Sequence, residues 1–188
     1  MAEAYIIDAV RTPIGRRKGA LSQEHPADMG AHVIKGLLER TGVDPEAIDD
    51  VVFGCLDNVG HQSGCVARTC WLAAGLPESV PGVTIDRQCG SSQQAVHFAA
   101  QGVMAGAYDI VVAAGVEVMS LVPMGASIGK GVGFPFGAAA DRYTDVQLIE
   151  GHTGLVGQGV SAEIIANEWG LTREDLDTLG ARSQELAE

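Results

Sequence analysis

The sequence predicts an α/β layered fold, on three observations. Short apolar runs alternate along the chain with stretches whose apolar residues recur at helical spacing. Glycine accounts for 25 residues and aromatics for only 5% of the chain, so a core must rest on closely packed Ala, Val, Ile and Leu. With 188 residues, 46% of them hydrophobic, there is enough apolar material to bury such a core.

The elements follow in order. Tyr5-Ile6-Ile7-Asp8-Ala9-Val10 reads as a buried strand, ended by Arg11-Thr12-Pro13-Ile14-Gly15. From Ala27 to Arg40, Met29, Val33, Ile34, Leu37 and Leu38 recur at helical spacing, with Gly42 as the stop. Val51-Val52-Phe53 is a second strand, and Ala67 to Ala74 a helix closed by Gly75. Val83-Thr84-Ile85 is a third short strand, followed by a helix of small apolar residues from Gln93 to Ala105. Asp109 to Val116 is a continuous apolar strand, the kind covered on both faces.

Composition changes after Ser120. Between Gly125 and Gly159 the chain is glycine-rich and broken by Phe134-Pro135-Phe136, which reads as a long irregular insertion covering a site. Two helices follow. Ser161 to Trp169 carries Ile164 and Ile165, and Thr172 caps a second helix with Leu176, Leu179 and Leu186 on one face. That helix reaches Glu188 without a stop residue, so the chain is expected to be cut from a longer protein.

Charge narrows the function. The formal net charge is −12, from 24 acids and 12 bases, and the longest basic run is Arg16-Arg17-Lys18. A nucleic-acid partner needs a cationic face to displace counterions, so none is expected, although helix N-termini and a few bases suffice for one phosphorylated small molecule. No apolar run approaches a membrane span and no basic region leads an N-terminal apolar stretch. A cytoplasmic location is expected, with Cys55, Cys65, Cys70 and Cys89 as reduced thiols and not a disulfide framework.

The most informative segment is Asp86-Arg87-Gln88-Cys89-Gly90-Ser91-Ser92-Gln93-Gln94-Ala95, between a short strand and a helix. Cys89 then falls at or near a helix N-terminus, where unpaired amides carry partial positive charge. That charge favours thiolate over thiol and suits an oxyanion. Placement alone does not separate a nucleophile from a small buried cysteine, since free Cys is among the most buried residue types.

Gln88 to Ala95 resembles the nucleophile motif of the thiolases. Three further segments agree in order: Ala9 to Gly15 resembles the family's opening strand and turn, and Gly115-Val116-Glu117-Val118-Met119-Ser120 with Pro123-Met124 its strand end. Gly159-Val160-Ser161-Ala162-Glu163 resembles the start of its loop-domain helix near the pantetheine channel. The resemblance implies a thiolase-like layered α/β fold, a mixed sheet with helices on both faces, truncated before the second half. Residues 1–118 would form the N-terminal domain carrying the nucleophile, and 119–188 a partial loop domain, cut mid-helix.

It further implies a homodimer or tetramer, with the Val83-Thr84-Ile85 strand pairing at the interface. Cys89 would be the catalytic nucleophile, with acyl-CoA and coenzyme A as substrates and no covalently bound cofactor. No residue is assigned to holding coenzyme A. The reaction implied is thiolysis of 3-ketoacyl-CoA, as in fatty acid β-oxidation, or the reverse condensation of acetyl-CoA.

Two residues depart from the family pattern. Ser91-Ser92 stands where many thiolases have Ser-Gly, and Gln158 where Met is usual, which points to a degradative enzyme accepting larger 3-ketoacyl groups. The family's second half supplies a His in Gly-His-Pro and a Cys in Cys-x-Gly, and neither segment occurs here. The fragment alone is therefore expected to be inactive.

Two alternatives stand beside this reading. A ketoacyl synthase shares the fold, but its motif usually reads Thr-Ala-Cys where this chain has Arg87-Gln88-Cys89. A non-catalytic dimerising module is the other. Among remaining polar residues, His61, Cys65 and Cys70 lack the spacing of a metal site, and the two cysteines read as packing residues. His152, in the glycine-rich insertion, reads as a surface residue, with lining of an acyl-CoA channel as the alternative. His97 lies too far along the helix to serve as base, and Glu117, at a strand end, reads as a helix or turn cap or as a catalytic group.

Overall fold

The structure, a computed structural model, describes residues 3–128, 135–149 and 151–187. The chain forms two compact units, Met1–Val132 and Gly133–Glu188. The division falls after residue 132, and the Gly125 and Ser127 amides are held by Asp57 within the first unit.

Helix α1 (Pro26–Thr41) begins at a His25 cap whose Nδ1 accepts the Ala27 amide at 3.2 Å, with Pro26 at the position that needs no amide donor. Strand β1 (Asp50–Gly54), helix α2 (Val66–Ala73), strand β2 (Gly82–Ile85), helix α3 (Ser91–Met104) and strand β3 (Val111–Gly115) follow. The three strands are parallel in the order β2-β1-β3, with Val51 opposite Gly82 and Val112, and Gly54 opposite Ile85 and Gly115.

Alternation along β1 assigns the faces. Val51 and Phe53 pack into a core with Ile34 and Leu38 of α1, Ala67, Cys70 and Trp71 of α2, and Val112 of β3. Gly54, of opposite parity, meets the start of α3. Helices α1 and α2 therefore cover one face and α3 the other, the layered arrangement the sequence predicts. The Trp71 indole satisfies its N–H on the Pro77 carbonyl at 2.7 Å, and the Thr84 hydroxyl accepts the Ala67 amide at 3.2 Å.

The expected strand over Tyr5–Val10 does not form. The segment is unpaired, and Tyr5, Ile6 and Ile7 are 78%, 79% and 69% exposed. An apolar run makes a strand only where a neighbouring edge offers backbone partners, and no described strand pairs with this one. What anchors it is charge: Arg40 at the end of α1 holds Asp8 through two hydrogen bonds of 2.9 and 3.0 Å.

Two loops beyond the strand ends are joined by buried polar side chains. Asp57 accepts the Gly125 amide at 2.9 Å, and the Ser127 amide and hydroxyl at 3.0 and 2.6 Å. Burial opposes its ionisation, but these donors outweigh it and hold the carboxyl below its ordinary value. Gln62 donates to the Asp57 carbonyl and to Glu117, and accepts the Val118 amide at 2.7 Å.

In the second unit, helix α4 (Ala138–Tyr143) and the antiparallel pair β4 (Gln147–Ile149) and β5 (His152–Thr153) occupy the stretch expected to be irregular. Of Phe134-Pro135-Phe136, Phe134 lies outside the described residues. Helix α5 (Gln158–Trp169) starts earlier than the expected Ser161. Helix α6 (Arg173–Glu185) opens on a reciprocal Thr172–Asp175 capping box. Among the described residues, no helix is long and apolar enough to cross a membrane.

Candidate active site

All three parallel strands of the first unit end at one edge of the sheet, and α3 starts there. Gly54 and Gly115, opposite one another in register, close β1 and β3. A Cβ on Gly54 would stand 2.2 Å from the Ser92 nitrogen, and one on Gly115 would stand 1.9 Å from the Ser92 Oγ. The missing side chains let the first turn of α3 lie directly on the sheet.

Between β2 and α3 the backbone makes a tight turn. Asp86 Oδ1 accepts the Gln88 amide at 2.7 Å, and the Arg87 carbonyl accepts the Gly90 amide at 3.0 Å. Gln88 is left-handed, with φ of 49°, which costs a residue with a side chain about 1–2 kcal/mol. The Ser91 hydroxyl bridges the turn, accepting from the Arg87 amide at 2.9 Å and donating to the Gln88 carbonyl at 2.5 Å.

Cys89 follows Gln88 directly and is exposed, one residue before the Gly90 cap of α3. No acidic residue lies in the first turn of this helix, so its own side chains leave the positive end of the helix dipole unneutralised. Such an end suits an anionic sulfur or a developing oxyanion.

The other thiols differ. Cys55 is buried just beyond β1, and burial first, then the charge of and hydrogen bond to Glu117, push its thiol up to about 12. Cys70 is buried between α1 and α2, and burial followed by the charge of Asp28 pushes it up to about 12 as well. Cys65 is half-buried, its thiol 3.2 Å from the Gly82 carbonyl.

The remaining sequence candidates find structural places. Glu117 accepts the Leu56 amide at 2.8 Å and the Gln62 side chain at 2.6 Å, so it braces two loops. His61 sets its ring edge-on to His25 at 5.2 Å. His97 is exposed on α3 and His152 exposed on β5, while Gln158 opens α5.

Sequence reasoning missed the Gly54–Gly115 pair, the left-handed Gln88 and the Ser91 bridge. Glycines closing two apolar strands, β1 and β3, were the readable signal for the first. The other two had none, because they depend on local backbone geometry.

Comparison with known proteins agrees with this architecture. The thiolase N-terminal domain family matches residues 4–188. The chain is 47% identical to the steroid 3-ketoacyl-CoA thiolase FadA6 of Mycobacterium tuberculosis, over all of this chain (100%) and 46% of that protein. It is 42% identical to a 3-ketoacyl-CoA thiolase of Pseudoalteromonas translucida, with the same two coverages of 100% and 46%. The crystal structure of the Bacillus anthracis acetyl-CoA acetyltransferase superposes with a TM-score of 0.73 at 31% identity, covering 95% of this chain and 45% of that one. The chain thus spans about half the length of the curated relatives it matches. The family match runs over nearly the whole chain, and the protein belongs to the thiolase family, matching its N-terminal domain.

Proposed function

We propose that this chain carries the nucleophile of a thiolase-type acyltransferase, with Cys89 as the catalytic residue. The observation that supports this most directly is its exposure at the start of α3, while Cys55 and Cys70 are 1% and 0% exposed. In the cleavage direction the Cys89 thiolate attacks the 3-keto carbonyl of a 3-ketoacyl-CoA and forms a tetrahedral oxyanion. Collapse breaks the bond between the second and third carbons. Acetyl-CoA leaves as its enolate and takes a proton, and the shortened acyl group stays on sulfur as a thioester. Coenzyme A thiolate then takes the acyl group, giving ping-pong kinetics. Amides at the α3 N-terminus are suited to the oxyanion.

Coenzyme A is a substrate in this scheme. The proton carriers are proposed to come from a second half, in segments resembling the family's Gly-His-Pro and Cys-x-Gly.

The test is timed alkylation with peptide mapping. A thiol pushed to about 12 is roughly a thousandfold less ionised at neutral pH than an ordinary cysteine, so Cys55 and Cys70 should stay unlabelled. Cys89 should label first, with Cys65 behind it. Equal labelling of all four would overturn the assignment.

We also propose that the protein self-associates, as a homodimer or tetramer. In support, β2 has one strand neighbour among the described residues, and its Val83 is exposed. Sedimentation equilibrium should find a dimer or larger, and a monomer would sink the idea.

A further inference from the structure

We propose that Ser91 is the positioning residue of this site: its hydroxyl holds Gln88 in the left-handed conformation and so sets where the Cys89 thiol stands at the mouth of α3. The proposal rests on the reading of Cys89 as nucleophile.

Several hydrogen bonds shape the turn, and the Ser91 side chain bonds both of the residues before Cys89. Its Oγ takes the Arg87 amide at 2.9 Å and gives its proton to the Gln88 carbonyl at 2.5 Å. The Ser91 amide reaches the same carbonyl at 3.1 Å. The carbonyl whose direction follows from the Gln88 torsions is thus gripped twice by one residue.

A left-handed residue with a side chain persists only where its surroundings over-determine it. Ser91 is 5% exposed, so solvent is poorly placed to replace the hydroxyl if it is removed. Asp86 secures the Gln88 amide at 2.7 Å, which fixes the entry to the turn. The exit is fixed by Ser91, and Cys89 lies between Gln88 and the Gly90 cap. If Gln88 returns to an ordinary conformation, the peptide joining it to Cys89 rotates and the thiol leaves its place before the first amides of α3.

Ser91→Ala removes the hydroxyl while keeping a small residue with good helix propensity at the first position of α3. Alkylation of Cys89 in the full 188-residue chain should then slow by about tenfold, the scale of releasing one strained torsion. Adding Gln88→Gly separates positioning from general support, because glycine occupies a positive φ without steric cost. The double variant should return to within about threefold of the parent rate.

A Ser91→Ala rate equal to the parent's overturns the proposal, as does a slow rate that Gln88→Gly leaves unchanged. Labelling of Cys55 and Cys70 in Ser91→Ala also overturns it, since the residue would then hold the core together and not the thiol in place. Failure of the nucleophile reading looks different: Cys89 in the parent chain would label no faster than Cys65.

Discussion

Assayed alone, this chain should show no sustained thiolysis, and a separately expressed downstream half should restore it. Deprotonating the thiol and protonating the leaving enolate each need a positioned proton carrier, and such groups contribute about 10²–10⁴-fold apiece. The histidines here are poor candidates: His61 lies against His25, His97 is exposed along α3, and none stands in a Gly-His-Pro segment. The chain also spans 46% of its thiolase relatives' length. The expected loss relative to the reconstituted pair is therefore roughly 10⁴-fold or more. Cys89→Ala should abolish the restored activity. Turnover by the chain alone that Cys89→Ala removes would place the base within these residues and defeat the division of labour proposed.

The largest stability effect should come from adding one methyl group where α3 meets the sheet. In Gly54→Ala the new Cβ would lie 2.2 Å from the Ser92 nitrogen and 2.4 Å from the Ser91 carbonyl carbon, both backbone atoms that cannot turn aside. The helix start must lift away, at a cost of about 3 kcal/mol or more. Gly115→Ala meets mainly the Ser92 Oγ, a side chain able to rotate, and the Gly54 carbonyl at 2.9 Å. It should cost less, about 1–3 kcal/mol, and Ser92→Gly should relieve part of that loss. Thermal melting measures both. An unchanged melting temperature for Gly54→Ala would show that α3 is not seated on β1 as described.

The elements on which this site stands are legible in the sequence to different degrees. Helix α1 is legible because its apolar periodicity is strong and Gly42 ends it. Strand β3 is legible because a continuous apolar run fits a strand covered on both faces. Helix α3 begins at Ser91, two residues ahead of the expected Gln93, since small polar residues show no periodicity. The place of Cys89 ahead of α3 is legible from its position between strand and helix, and its proposed role rests on the resemblance. The segment at Tyr5–Ile7 misleads because hydrophobicity reports a tendency to be buried but not a partner. Asp57, Gln62 and Glu117 could not be grouped from sequence, because the loops they join are adjacent only after β1 and β3 pair.

The central place of β1 has a consequence for how the chain is made. Asp50–Gly54 leaves the ribosome early, yet its second edge is filled only when Val111–Gly115 has been synthesised. Pairing between parallel strands so far apart in sequence is slow, because the loop must close before any contact rewards it. Through that interval β1 has one strand neighbour at most. Cys55, later enclosed beside Glu117, is meanwhile open to oxidants. Its protection is acquired only once β3 and the Glu117 loop beyond it are made, so the nascent chain, and not the finished protein, is the form in which this thiol is vulnerable.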